Sequence, residues 1–466
     1  MNEQKLLIDI QEKPKSISKW ILLSFQHVFA MFSATVLVPL LTGLNVGVAL
    51  LASGVGTLIY IACTKGKVPV YLGSSFAYIG AITLTAISNA NALGLTLAPD
   101  FEIRDIAAAI SNPDNGIGMF DIYGSAFLGL MAVGLTYIIV AFIIRFTGSG
   151  WLKKLLPPVV IGPMIIIIGL SLAGVAVQNV GLDGSGSWKG YLVAIITFLA
   201  AGIISIKAKG FLKIVPFLVA ILIGYIAAVA FNFVDYGAFE GSQLFQLPQV
   251  SLIGTRGFTV NWGQVLAFIP LAFVTIAEHI GDHTVLGEIT GRDFITEPGL
   301  QNTLLGDGIA TLVAGAIGGP ANTTYGENTG VVAVTKVGSV WVVGLAAIIA
   351  ILLGFIGWIQ SFIISIPRPV IGGITLILYG LIAANGVKVL IKDRTDLSNM
   401  RNLIVVSTML VIGLGGAFIS LNSFASLTGM SLAVIVGIIL NQALIGLEKL
   451  NLSKLFKIAS SEDSVE

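Results

Sequence analysis

In the run Ala277-Glu278-His279-Ile280-Gly281-Asp282-His283, the two acids stand four residues apart. On a helix that spacing puts Glu278 and Asp282 on one face, and His279 with His283 on the face beside it. A further carboxylate, Glu327, precedes Asn328 in the Gly/Pro-broken stretch 319–330, with apolar sequence on both sides. Carboxylates accept N–H donors, and backbone N–H groups at the starts of half-helices donate to carbonyl oxygens or anions. A flat ring presenting alternating N–H and C=O groups would satisfy both sets, and the aromatic rings of Phe76 and Tyr325 could cover its face. Burial in a low dielectric favours the neutral form of a carboxyl group, which suits a group that takes up and releases protons.

Other readings of the same residues stand beside this one. Glu278 or Glu327 could pair with Lys336, His27 or His279 as internal glue, and His279 with His283 could simply hydrogen-bond between helices. The string His279-x-x-Asp282-His283 matches an inverted zinc-protease motif only superficially. Asp stands where that chemistry uses Glu, and no third ligand is evident, so no metal is expected. Tyr379, Arg368 and the many glycines read as packing or interface features, since close helix approach favours small residues.

The elements that must hold these groups are apolar. Of 466 residues, 56% are hydrophobic and 11% charged, with mean hydropathy +0.96. A soluble domain carries about 25% charged residues, so the chain reads as an integral membrane protein. Ionisable groups inside such a chain are costly and mark functional sites, and broken hydrophobic segments are where carriers place their ligands. The balance of 25 basic and 24 acidic residues gives no basic face for nucleic acid. A lone Cys63 excludes an internal disulfide framework and a Cys-based metal site. The first 19 residues are polar, and the apolar run Trp20 to Leu44 is too long for a cleaved signal peptide.

Apolar runs of about 20 residues predict fourteen spans, near 20–44, 46–64, 68–88, 122–146, 156–180, 188–206, 211–234, 262–286, 300–318, 322–338, 340–364, 367–387, 402–421 and 425–446. With the amino terminus inside, 21 of the 25 Lys and Arg residues fall on the cytoplasmic side and 4 outside, as the positive-inside rule requires. Both termini are therefore expected in the cytoplasm, while the sequence does not assign a role to the polar insertion at 89–121.

Residues 157–173 and 367–383 match at a shift of 210, with Pro157/Pro367, Gly162/Gly372, Ile167/Ile377 and Ala173/Ala383 identical. At a shift of 250, Gly80 falls on Gly330 and Thr85 on Thr335. The shifts differ by 40 residues, much of it the insertion. Seven spans plus seven, an odd number each, make the halves inverted, with the site expected at midplane between them. Symmetry places His27 roughly opposite Glu278, and Gly73-Ser74-Ser75-Phe76 opposite Thr323-Thr324-Tyr325-Gly326.

With Glu327-Asn328-x-Gly330-x-x-x-x-Thr335-Lys336, Gln26-His27, Gly73-Ser74-Ser75-Phe76 and Glu278-His279-Ile280-Gly281 in place, nearly the whole chain resembles the nucleobase–ascorbate transporter family (nucleobase:cation symporter-2), and within it the bacterial uracil permeases. The resemblance implies an all-α membrane protein of two inverted seven-span repeats, with a short strand in each of spans three and ten. It implies a core domain at 20–147 and 261–364 (spans 1–4 and 8–11) and a gate domain at 148–260 and 365–448 (spans 5–7 and 12–14). Cytoplasmic tails would occupy 1–19 and 449–466.

It further implies proton-coupled import of uracil across the bacterial inner membrane, with no other cofactor and with dimerisation through the gate domain. Glu278 and Glu327 would bind the N–H and carbonyl edge, backbone amides at Phe76 and Gly326 would add hydrogen bonds, and Ser75 and Tyr325 would complete the binding set. His27, Asp282, His279, Asn328 and Tyr379 are assigned to proton coupling or to support of the site. One departure bears on the substrate: some well-known uracil carriers have histidine at the position of Asp282, whereas xanthine and urate carriers often have aspartate. Purine members usually begin the signature with glutamine, so Glu327 favours uracil over xanthine. A sulfate-type anion carrier of similar architecture is the rival reading, which the acidic pair disfavours.

Overall fold

Where no water can satisfy the backbone, an apolar run must close its own hydrogen bonds, so the Leu/Ile/Val/Ala stretches of this chain become helices. In the computed structural model, residues 6–95, 106, 110, 117–213, 215–254, 257–422 and 425–449 are described. The helices are α1 (Ile17–Thr42), α2 (Val46–Cys63), α3 (Ile79–Ala92), α4 (Met119–Thr147), α5 (Gly150–Leu155), α6 (Pro158–Ser171), α7 (Ala173–Val180), α8 (Trp188–Lys207) and α9 (Pro216–Ala230). They continue as α10 (Trp262–Thr290), α11 (Leu300–Ala316), α12 (Gly326–Thr335), α13 (Val340–Gly354), α14 (Gly357–Ile364), α15 (Arg368–Lys392), α16 (Met400–Leu414) and α17 (Gly429–Lys449). Four short strands are β1 (Leu72–Ser74), β2 (Asn322–Thr324), β3 (Phe418–Asn422) and β4 (Ala425–Thr428).

Among the described residues, eight helical segments are long and apolar enough to cross a membrane, counting α6 with α7 as one. Helices α9, α13 and α16 are shorter apolar segments. Several expected spans prove composite. The segments at 68–88 and 322–338 are each a strand followed by a helix. The one at 340–364 breaks between α13 and α14, where Gln246 N–H donates to the Phe355 carbonyl (2.8 Å) and Gly357 N–H to the Leu244 carbonyl (3.2 Å). A loop distant in sequence thus takes up the backbone groups that the break frees. The segment at 402–421 stops being helical at Leu414, followed by Gly415 and by Gly416 at φ +71°. The chain then forms the antiparallel β3–β4 hairpin instead of running straight into the next apolar segment. Most of the insertion at 89–121 and the tail beyond 449 lie outside the described residues.

Two sets of helices pack tightly. Helix α11 lies against α4 and α2, and α13 lies on α2, while α15 packs on α6, α7 and α8. Small residues set these distances: a Cβ on Gly134 of α4 would stand 2.6 Å from the Gly308 carbonyl oxygen of α11. Both α6 and α15 are entered through a proline in extended conformation, Pro157 (ψ 159°) and Pro367 (ψ 153°), which are the residues matched by the 210-residue shift.

Strands β1 and β2 pair antiparallel with Gly73 opposite Thr323, flanked by Leu72–Thr324 and Ser74–Asn322. That central pair is separated by the 250-residue shift, so the ladder has a local two-fold relation between the halves. The expected strands in these two segments are therefore where the chain crosses itself.

The polar residues before α1 are fastened to the segment after α12. Leu7 N–H donates to the Lys336 carbonyl (2.7 Å), Gly338 N–H to Ile8 (3.0 Å) and Val340 N–H to Ile10 (2.8 Å). Arg292 reaches Asp9 (3.1 Å) on the same surface.

Candidate functional site

Each strand is followed directly by the start of a helix. The Ser75 N–H is spent on the Ala321 carbonyl (2.9 Å) and the Tyr325 N–H on the Tyr71 carbonyl (3.1 Å). The first amides past the ladder are consequently those of Phe76, which opens a 3₁₀ turn over Phe76–Tyr78, and Gly326, which opens α12. First-turn N–H groups have no intrahelical acceptor and carry the positive end of the helix dipole.

These two starts meet a cavity of about 230 Å³ lined by Phe76, Glu278, Asp282, Thr323, Thr324, Tyr325, Gly326 and Glu327. Its opposite wall is Ile165 and Ile168 of α6 with Leu378, Ile382 and Asn385 of α15. Among the described residues, neither Glu278 nor Glu327 has a hydrogen bond from another side chain or an ion pair. Asp282 accepts from the Thr324 hydroxyl at 2.5 Å, which fixes one of its oxygens against β2. Thr323 lines the same cavity, and its buried hydroxyl has no partner among the described residues. Donors (amides, hydroxyls) and acceptors (carboxylates) therefore share one concave space walled by aliphatic and aromatic side chains. A larger cavity of about 570 Å³, by Gly43, Glu240, Gln249 and Gln360, contains none of the residues singled out from the sequence.

The remaining expected residues take other places. His27 does not line the cavity: it is buried against α12, where the Asn328 side-chain amide donates to its Nδ1 (3.1 Å) and to its carbonyl (3.0 Å). The strand crossing brings α1 to α12, so the polar partner available to His27 is Asn328. Ser75 is buried with its hydroxyl unpartnered and lies outside the cavity lining. Tyr325 covers the cavity but also anchors the crossing, donating from its hydroxyl to the Ser74 carbonyl (2.9 Å) and accepting from Thr35 (3.3 Å). Tyr379 is buried in the apolar packing of α15 and does not line the cavity; the neighbouring Leu378 does.

His279 points away from the cavity and meets a residue that spacing and motif did not single out. Its Nδ1 lies 2.8 Å from Asp307 Oδ2 on α11, with both side chains fully buried. A single acid between two glycines in the run Gly306-Asp307-Gly308, inside an apolar segment, was the available signal.

Comparison with known proteins places this geometry in company. The model of the Xan_ur_permease family, described as a permease family, matches residues 18–421. A uracil permease of Bacillus caldolyticus is 44% identical over 445 residues, covering 95% of each chain. The uracil permease of Escherichia coli K12 is 40% identical over 435 residues, 92% of each. A putative pyrimidine permease of the same organism, RutG, is 35% identical over 432 residues, 90% of this chain and 88% of that one. Among solved structures, the transmembrane domain of the cyanobacterial bicarbonate transporter BicA superposes with TM-score 0.57 at 16% identity, covering 93% of this chain and 100% of that one. The murine anion transporter Slc26a9 in its inward-facing state gives TM-score 0.65 at 12% identity over 94% of this chain and 69% of that one. At such identities the likeness to solved structures is one of fold.

Proposed function

This chain belongs to the Xan_ur_permease family of membrane permeases, and we propose that it imports uracil together with protons. The observation that carries the proposal is the pair of carboxylates, Glu278 and Glu327, which among the described residues have no ion pair and no side-chain donor, on one cavity of about 230 Å³ that also receives the helix starts at Phe76 and Gly326. The ring of uracil offers N–H groups to the carboxylates and carbonyl oxygens to the amides, and Phe76 and Tyr325 close over its faces. Relatives at 40–44% identity carrying the name uracil permease support the substrate. Asp282, held by Thr324, favours xanthine as the second reading, since purine carriers often have aspartate there.

The fold is proposed as fourteen crossings in two inverted halves. The core would be 20–147 with 261–364 and the gate 148–260 with 365–448, the cavity lying between α10 and α12 on one side and α6 and α15 on the other. The packing of α11 on α4 and α2, and of α15 on α6 to α8, supports this division. Location in the bacterial inner membrane, cytoplasmic termini and a gate-mediated dimer belong to the same proposal. A sulfate-type carrier shares the fold, but two free carboxylates in the cavity repel an anion.

The test is uptake of labelled uracil into proteoliposomes under an imposed pH gradient. A hydrogen bond to a charged group is worth about 1.5–3 kcal/mol, so Glu278→Gln or Glu327→Gln is expected to weaken uracil binding by roughly 10- to 150-fold. Unchanged uptake in both variants overturns the site. Indifference of the parent to the gradient overturns the coupling, and stronger inhibition by xanthine than by unlabelled uracil moves the assignment to purines.

A further inference from the structure

Behind the cavity, on the other side of α10, lies a polar cluster that substrate binding does not use. The rings of His279 and His283 stack with centroids 4.0 Å apart. Nδ1 of His283 faces the His279 carbonyl at 2.7 Å, and a carbonyl only accepts, so this nitrogen carries a hydrogen. In the neutral ring Nε2 is then an acceptor, and the hydroxyl of Tyr60 on α2 donates to it. The tautomer of His283 is thereby fixed.

His279 is not fixed in this way. Its Nδ1 can donate to the Asp307 carboxylate or accept from the protonated acid, and a proton lies between the two in either arrangement. Among the described residues, His279 Nε2 and Asp307 Oδ1 are buried and have no partner, and the ring of Tyr137 on α4 stands edge-on to His279 at 6.5 Å. With Nε2 bare and Nδ1–H facing a carboxylate, the pair carries one negative charge. With one more proton it is neutral overall. A purely structural pair would have its remaining polar atoms satisfied, because each unpaired one costs about 1–3 kcal/mol.

The surrounding groups make the extra proton consequential. Glu278 and Asp282 are on the same helix, Glu327 is across the cavity on α12, Tyr60 and Cys63 come from α2, Tyr78 from the 3₁₀ turn, and Tyr137 from α4. Among the described residues, no lysine or arginine pairs with Glu278, Asp282, Asp307 or Glu327. Four carboxyl groups are thus gathered at membrane depth, and His279 is, among the described residues, the one basic side chain in contact with any of them. Charge of one sign in a low-dielectric interior is strongly unfavourable, so adding or removing one proton behind α10 alters the charge that Glu278 and Asp282 sustain in front of it.

We infer that the His279–Asp307 pair is the residence of the coupled proton during transport, acting on the substrate carboxylates from behind without touching the substrate. This rests on the proton-symport reading above and names the positioning residues within it. The step is a proton transfer only: a proton arriving from the outer side makes the pair neutral, and its departure on the inner side restores the single negative charge.

Two proteoliposome assays separate this role from a structural one. Gradient-driven accumulation of uracil needs the coupled proton, whereas counterflow of labelled against unlabelled uracil, without a gradient, needs only binding and conformational exchange. Asp307→Asn and His279→Gln are each expected to lower gradient-driven accumulation and uracil-linked proton entry at least tenfold, while counterflow stays within about threefold of the parent. The pH dependence of the uracil Kd should flatten in both. Full gradient-driven accumulation in either variant overturns the inference. Loss of counterflow in parallel with accumulation, or failure of both variants to fold, assigns the pair to structure and also overturns it. If the unmodified protein shows no gradient dependence, the symport reading itself has failed, which is a different result.

Discussion

Replacing Gly73 by alanine places a methyl group at the centre of the strand crossing. A Cβ built on Gly73 runs into the ring of Tyr325 and stands 2.8 Å from Thr35 Oγ1. The ring cannot yield cheaply, because its hydroxyl donates to the Ser74 carbonyl at 2.9 Å and accepts from Thr35 at 3.3 Å. Swinging it aside breaks two hydrogen bonds at about 0.5–1.5 kcal/mol each, and forcing the methylene volume into packed surroundings costs about 1–3 kcal/mol. The sum is roughly 2–6 kcal/mol, the lower end applying if the strands separate slightly. Tyr325 immediately precedes Gly326 and Glu327, so the movement is passed to the amide and the carboxylate that face the cavity.

The assay is uracil binding to purified protein alongside its thermal stability in detergent. Gly73→Ala is expected to weaken binding by at least tenfold and to lower stability. Gly80→Ala, one element further on, is the control, since nothing lies within 4 Å of where its methyl group would stand and alanine is the better helix former by about 1 kcal/mol. Equal behaviour of the two variants would refute the claim that backbone contact at Gly73 fixes the site.

Asn328→Ala removes both amide contacts to His27 and leaves a buried ring nitrogen unpaired, so a stability loss of about 1–3 kcal/mol is expected in chemical denaturation; no loss would mean that His27 finds another partner. The Lys67–Glu297 pair outside the apolar segments is exposed, and Lys67 holds the Glu297 carboxyl below its usual range. Whatever it contributes is present above the unfolded-state pKa and is lost as pH falls through the lowered folded value; because both side chains are exposed to screening water that contribution is small, and Lys67→Met should leave thermal stability at pH 7 and uracil uptake essentially unchanged. A large drop in either would mean that this surface takes part in transport or folding.

Much of the site could be read from spacing alone. Glu278 and Asp282, one helical turn apart, line one cavity, and the broken stretch around Glu327 supplies the opposite edge. The paired strands lay within the two segments least like helices, because Gly73-Ser74-Ser75 and Asn322-Thr323-Thr324 have little helix preference and β-branched threonines. What escaped depends on contacts between elements distant in sequence. His27 finds Asn328 because the chain crosses itself, and periodicity within α1 carries no trace of that. The break between α13 and α14 is stabilised by residues 244–246, more than a hundred positions away. The β3–β4 hairpin has the sequence signature of an apolar span, because residues on a short strand and residues on a buried helix look alike at that length. Asp307, an ionisable group between two glycines inside an apolar segment, carries the same sequence signal as Glu327.

The ladder between β1 and β2 has one more implication, for how selectivity can change in this permease family. Since the donors of Ser75 and Tyr325 are locked onto main-chain oxygens across the crossing, the gap separating the amides of Phe76 and Gly326 is set by peptide geometry. A substitution inside the ladder, as at Gly73, disturbs that gap only together with the stability of the crossing. A protein built this way adapts to a different ring by altering what α10 and α15 project toward it, at positions such as Asp282 and Asn385, while the crossing keeps its gauge.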